Sequence, residues 1–135
     1  MKATPLLLAA SLALTAACAA QDPPRNDKAS IQALIGEAAC SGDAQCRTIG
    51  VGAKACGGPQ AYVAWSTLRT DEAALLKLAE ASAESDRKQA EAKGMVSTCS
   101  VVPDPGAFCD MSRPAAGASG TCRLRAGKGG GELAR

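Results

Sequence analysis

The sequence predicts a small α+β domain that is held together by disulfide bonds. Two stretches carry the apolar spacing of helices. Several short segments rich in β-branched residues alternate with glycine- and proline-containing turns, which favours strands. Six of the 7 cysteines fall within 83 positions, from Cys40 to Cys122. We therefore expect two helices, at about 27–40 and 70–93, on a short antiparallel sheet of three or four strands.

The first helix is predicted by apolar side chains that recur at helical spacing, namely Ile31, Leu34, Ile35 and Ala38. Asn26 or Asp27 can cap its start, because their side chains accept hydrogen bonds from free backbone amides. Gly42 can end it.

The second helix is predicted to be the longer one, beginning after Thr70 as the N-cap and ending at Gly94. Glu84 and Lys88 form a favourable i, i+4 pair. Its apolar stripe thins toward the C-terminal half and comprises Leu75, Leu76, Ala79, Ala83 and Ala90.

Three strands are predicted at 47–51, 96–102 and 121–125, and 61–66 supplies a fourth or leads into the second helix. The run Pro103-Asp104-Pro105-Gly106 predicts a turn. The resulting domain covers 27–125, and the glycine-rich end, 126–135, is predicted to be disordered.

Composition makes cross-links important. The chain has 1 Trp, 1 Tyr and 1 Phe, and its apolar content is mostly alanine, which buries little surface. Small domains with thin cores usually depend on disulfides or metals. The net charge of +2 creates no strong field, so we expect no nucleic-acid partner.

The chain contains 0 histidines. This excludes Ser-His and Cys-His catalysis, histidine-ligated zinc and a histidine pH switch. No cofactor is predicted.

The N-terminus predicts export. Lys2 is followed by a short apolar run and then by small residues, the pattern of a signal peptide over 1–17. The sequence Leu14-Thr15-Ala16-Ala17-Cys18 resembles the lipobox of bacterial lipoproteins, although the leucine lies one position earlier than usual. The resemblance implies cleavage before Cys18 and acylation of its thiol, including palmitate, with 18–26 as a lipidated tether.

The residue after the acylated cysteine is Ala19 rather than aspartate. By the same resemblance, this implies an outer-membrane lipoprotein that faces the periplasm. The alternative is an ordinary signal peptide cut after Ala17 or Ala20, which would leave a soluble periplasmic or secreted protein.

Without Cys18, the remaining cysteines are even in number and lie beyond the reducing cytoplasm. We expect three disulfides among Cys40, Cys46, Cys56, Cys99, Cys109 and Cys122. Six cysteines allow fifteen pairings, and the sequence does not choose among them. The CxxC spacing of zinc and redox sites is absent, so no metal site is predicted.

The segment Cys40-x5-Cys46-Arg47, followed by Gly52-x-Lys54-x-Cys56-Gly57-Gly58-Pro59-x-x-Tyr62-x-x-Trp65-Ser66, resembles a group of small bacterial exported proteins. That group shares a CR…GxKxCGGPxxYxxYS core and a later segment with three cysteines. Trp65 stands where the group usually has tyrosine. The group has no established activity, so the resemblance supports the disulfide framework and implies no catalytic residue.

Four residues are candidates for contact with a partner, namely Arg47, Lys54, Tyr62 and Trp65. Cys56-Gly57-Gly58-Pro59 is favoured as a rigid structural corner, and the aromatic pair is favoured as core. A basic residue on a disulfide-stiffened loop is also typical of protease inhibitors, so Arg47 and Lys54 leave that alternative open.

We expect a non-enzymatic interaction or structural module, bound to the membrane through its lipid and contacting another envelope protein. A second alternative is a periplasmic enzyme without histidine, using Asp43, Asp104 or Asp110 in a common pocket. The acidic residues of the second helix, such as Glu80 and Glu84, are predicted to form a solvated face.

Overall fold

The computed structural model describes residues 27–96 and 99–126. The predicted signal peptide, Cys18, the tether and nearly all of the predicted tail lie outside these residues. The described chain has an α+β fold with two α-helices and five strands. In chain order the elements are α1 (Asp27–Ile35), β1 (Ala39–Cys40), a 3₁₀ turn (Asp43–Gln45), β2 (Cys46–Val51), β3 (Ala61–Ser66), α2 (Glu72–Ala92), β4 (Ala107–Asp110) and β5 (Gly120–Leu124).

Both helices are present, and glycines set their C-terminal ends. α1 ends at Ile35 and not near residue 40, because Gly36 adopts a φ of +58° and its amide bonds to Gln32. In α2, Asp71 rather than Thr70 is the N-cap, and its carboxylate accepts a 3.1 Å hydrogen bond from the Ala74 amide. Gly94, at a φ of +58°, follows the helix as predicted.

The strands form two antiparallel sheets and not the single sheet that the sequence predicted. One has three strands in the order β1-β5-β4, and the other is the β2–β3 hairpin. β2 and β5 were expected in one sheet, but a disulfide between Cys46 and Cys122 joins them instead of backbone hydrogen bonds.

The prediction of a strand at 96–102 is wrong for residues 96 and 99–102, the part of that range that the structure describes. Residues 99–106 have no regular structure, and the strand begins only at Ala107. Cys99 has a φ of +47°, which no strand residue adopts, and Pro103 and Pro105 lack amide donors. β4 therefore starts only after the proline-containing turn.

The core is small and contains mostly aliphatic side chains and sulfur. Ile31 and Ile35 of α1 meet Leu75 of α2, and Trp65 is only 4% exposed. Within α2, Leu75, Ala79 and Ser82 face the core, whereas Leu76 is 55% exposed although the predicted stripe included it. The buried face of α2 runs through positions 75, 79 and 82. Leu76 lies outside it because each successive residue is rotated by about 100° around the helix axis.

The six described cysteines form three disulfides, and the structure supplies the pairing that the sequence left open. Cys40 bonds Cys109, Cys46 bonds Cys122, and Cys56 bonds Cys99. The sequence separations are 69, 76 and 43 residues. Loop-closure entropy assigns each bond about 4 kcal/mol, a large share of a typical domain stability of about 5–15 kcal/mol.

At Gly120, strand β5 has no room for a side chain. A Cβ at position 120 would lie 2.7 Å from the Asp110 carbonyl oxygen and 3.0 Å from the Cys109 sulfur. Gly120→Ala should therefore lower the free energy of unfolding by about 1–3 kcal/mol in denaturant titrations with the disulfides intact.

Gly42→Ala is the matched control. Its Cβ would meet nothing within 4 Å, and its φ of −176° suits any residue. This variant should stay within about 0.5 kcal/mol of wild type. Equal stabilities for the two variants would contradict the close packing at Gly120.

Candidate functional site

The most distinctive local structure is the β2–β3 connection, residues 52–60, which we call the glycine corner. The Lys54 amide donates to the Gly58 carbonyl at 3.0 Å, and the Gly57 amide donates to the Lys54 carbonyl at 2.9 Å. Gly57 and Gly58 have φ values of +94° and +77°, which non-glycine residues rarely adopt. The backbone thus closes a tight turn and exposes Cys56 and the two glycines to solvent.

The two helices fix the base of the glycine corner. Asp86 of α2 accepts a hydrogen bond from the Ala53 amide at 3.1 Å, and Gln60 donates to the Ala53 carbonyl at 3.0 Å. Lys28 of α1 donates to the Gln60 side chain at 3.3 Å. A Cβ at Gly52 would lie 2.5 Å from the Asp86 carboxylate, so the close contact between corner and helix requires glycine.

The other side of the glycine corner contacts the segment that follows α2. Lys54 Nζ donates to the Ser100 carbonyl at 2.6 Å and contacts the Ser100 hydroxyl at 3.2 Å. Close to this contact in sequence, Cys56 of the corner forms a disulfide with Cys99, the residue before Ser100. Three attachments at neighbouring positions therefore join the corner to residues 99 and 100.

A cleft of about 360 Å³ lies between the glycine corner and the C-terminal end of α2. Ala55 lines it from the corner, and Arg87, Ala90, Glu91, Gly94, Met95 and Val96 line it from the other side. Met95 is 58% and Val96 96% exposed, and nearby in sequence Val101 is 88% exposed. No sequence pattern indicated this cleft, because its walls come from two segments that are about 30 residues apart and meet only in the folded chain.

The four candidate contact residues do not form one patch. Trp65 is buried and Tyr62 is partly buried, and their positions three apart on β3 give them opposite faces of the strand. A Cβ at Gly50 would lie 3.7 Å from the Tyr62 ring, so the ring packs across the hairpin. The preference for core packing fits Trp65 in particular.

The two basic candidates bond within the domain. Arg47 lies in β2 opposite Trp65 and donates to the carbonyls of Ala44 and Cys46 at 3.0 and 3.3 Å. Lys54 is held by Ser100. Both basic side chains therefore have polar partners within the domain.

Two of the aspartates on which the enzyme hypothesis depends also accept hydrogen bonds within the domain. Asp43 binds the Cys109 amide at 2.8 Å and Arg125 at 3.2 Å. Asp104 binds the Thr48 hydroxyl at 2.7 Å and the Gly106 amide at 2.8 Å. These two carboxylates fasten a turn and an edge strand in place, which is a structural use.

The acidic face of α2 carries the predicted ion pair. Lys88 Nζ lies 2.7 Å from the Glu84 carboxylate, and both side chains are mostly exposed. The hydrogen bond from Lys88 lowers the pKa of Glu84 below its ordinary value. The pair is solvated, so it contributes little to folding.

The sulfur atoms of Cys40, Cys46 and Cys109 lie within 4.8 Å of one another and are buried. Thiolates at such distances can hold a metal ion. Here each sulfur belongs to a disulfide, so the cluster is the contact between two neighbouring cross-links.

Comparison with family models, curated proteins and solved structures found no match to this chain. Neither helix in the described part of the chain is long and apolar enough to cross a membrane.

Asp110 yields a pH prediction. The Ser112 hydroxyl and amide donate to its carboxylate at 2.6 and 3.0 Å and lower its pKa, and Arg123 and Arg113 lower it further. Because the pKa of Asp110 is lower in the folded than in the unfolded protein, the ionised carboxylate stabilises the fold. This stabilisation is fully present at pH values above the unfolded pKa of about 3.9. It is lost as the pH falls through the lower, folded value.

We expect an NMR titration of Asp110 to give a pKa below the ordinary aspartate value. Ser112→Ala removes the largest contribution and should raise it. Arg113→Gln, the control, removes a charge 3.9 Å away and should raise it less. A larger rise in the arginine variant would contradict this order of causes.

Proposed function

We propose that this protein is an outer-membrane lipoprotein that faces the periplasm and acts as a non-enzymatic interaction or structural module. The observation that carries the proposal is the pairing of all six described cysteines in three disulfides. Four of the six residues are no more than 7% exposed. Disulfides of this kind persist in oxidising compartments and are rare in the cytosol.

The anchor in this proposal is Cys18. The lipobox resemblance supports it, as do the small residues at the expected cleavage site. From Cys18 to the start of α1 at Asp27 the chain can extend about 30 Å at most. A domain on so short a tether would stay close to the membrane surface, where it can meet other envelope proteins.

The non-enzymatic part of the proposal is supported by the use of the candidate catalytic groups. The chain contains 0 histidines, and Asp43 and Asp104 stabilise the fold by accepting hydrogen bonds. The partner-facing surface is proposed to be the cleft beside the glycine corner, because exposed apolar side chains gather there. Met95 and Val96 line it.

The test is an intact-mass measurement on the native protein extracted from the cell envelope, compared with a Cys18→Ala variant. The native protein should begin at Cys18, carry the mass of its acyl groups and react with an alkylating reagent only after reduction. Reduction should then expose six thiols, and the variant should lack the acyl mass.

Two results would contradict separate parts of the proposal. A native product cut after Ala17 or Ala20 without acyl mass would remove the anchor and leave a soluble exported protein. Six alkylated cysteines before reduction would remove the oxidised framework itself.

A further inference from the structure

The three disulfides differ sharply in their surroundings. Cys40, Cys46, Cys109 and Cys122 are 0%, 6%, 7% and 5% exposed. Cys56 and Cys99 are both exposed. A thiolate must approach the disulfide sulfur directly to attack it, so access decides which bond exchanges.

We propose that Cys56–Cys99 is a thiol–disulfide exchange site, which a dithiol reductant opens while the two buried disulfides remain closed. This inference is independent of the lipid anchor, since it needs only the folded, oxidised domain.

The reaction balances as an ordinary exchange. A thiolate of the dithiol attacks one sulfur of the Cys56–Cys99 bond, and a mixed disulfide forms as the other sulfur leaves with the electron pair. The second thiol of the reductant then attacks the mixed disulfide. The dithiol ends as a disulfide, and Cys56 and Cys99 end as two thiols.

Two features of the site favour this opening. Cys99 has a φ of +47°, a conformation that non-glycine residues rarely adopt, and breaking the cross-link lets it relax. The Lys54 ammonium is held on Ser100, the residue after Cys99. A cation close to a thiolate stabilises it and lowers its pKa, so we expect Cys99, next to the residue that holds Lys54, to be the better leaving group.

Reduction of the Cys56–Cys99 bond would affect one wall of the cleft. The Cys56–Cys99 bond covalently ties the glycine corner to the segment after α2, which carries Met95 and Val96. Breaking this bond leaves three other links intact: the hydrogen bond between Ala53 and Asp86 and the two buried disulfides. The domain would therefore stay folded, and residues 94–96, the part of the wall beyond α2, would lose the covalent link that holds them beside the corner.

The experiment is a time course with dithiothreitol at neutral pH without denaturant, quenched with N-ethylmaleimide. A species with two labels should accumulate, and peptide mapping should place both labels on Cys56 and Cys99. We expect this pair to be reduced at least tenfold faster than either buried pair. Labels on another pair, or six labels without a two-label intermediate, would overturn the proposal.

A second measurement tests the role of Lys54. In a Cys56→Ser variant, the pH dependence of Cys99 alkylation should give a thiol pKa below the ordinary value of about 8.5. Adding Lys54→Gln should raise it, whereas adding Lys77→Gln, an exposed position on α2, should not. An unchanged pKa in the Lys54 variant would remove the cation from the explanation.

The opened form can be tested by limited trypsin digestion of a C56S/C99S variant. Cleavage after Lys93 should be several-fold faster than in the oxidised wild type, and cleavage after Arg123 in β5 should stay equally slow. Equal cleavage after Lys93 in both proteins would show that the cross-link does not hold the cleft wall. Faster cleavage at both sites would show that the domain itself has unfolded.

Discussion

Two buried disulfides that lie side by side hold the domain together. Cys40–Cys109 joins β1 to β4, and Cys46–Cys122 joins β2 to β5, so together they link the start of the domain to its end. Cys46–Cys122 also joins the two sheets, which share no strand, and Cys40–Cys109 links the two outer strands of the three-stranded sheet. The sulfur atoms form part of the core and pack with a few aliphatic side chains. Covalent links here do what a larger apolar interior does in other domains.

The rest of the molecule is attached differently. The glycine corner is joined to the segment after α2 by one exposed disulfide and by Lys54, and to α2 itself by Asp86. The cleft and the exposed side chains of Met95 and Val96 lie in this region. The structure thus combines a centre with two buried cross-links and a periphery whose cross-link is accessible to solvent.

Local patterns predicted much of the fold. The apolar stripes located both helices, and Gly94 ended the second because glycine readily adopts a positive φ. The strand at 61–66 has the bounds that its composition indicated. The even number of cysteines that remains without Cys18 predicted cross-links, and the folded domain contains them.

The remainder depends on contacts between distant residues, which local patterns do not record. The disulfide pairing, the division into two sheets and the β4 position all follow from which segments meet. The Asp86–Ala53 and Lys54–Ser100 contacts span 33 and 46 residues. The Cys-Gly-Gly-Pro run marked the corner of the candidate site, but nothing in the sequence indicated the cleft beside it.

The central claim is that the two buried disulfides hold the fold, and paired replacement by alanine tests it most directly. Guanidinium unfolding would compare C40A/C109A, C46A/C122A and C56A/C99A. Removing either buried pair takes away a cross-link and core sulfur, so neither variant should retain a cooperative transition, whereas C56A/C99A should retain one. If both buried-pair variants unfold cooperatively and are as stable as C56A/C99A, the claim is wrong.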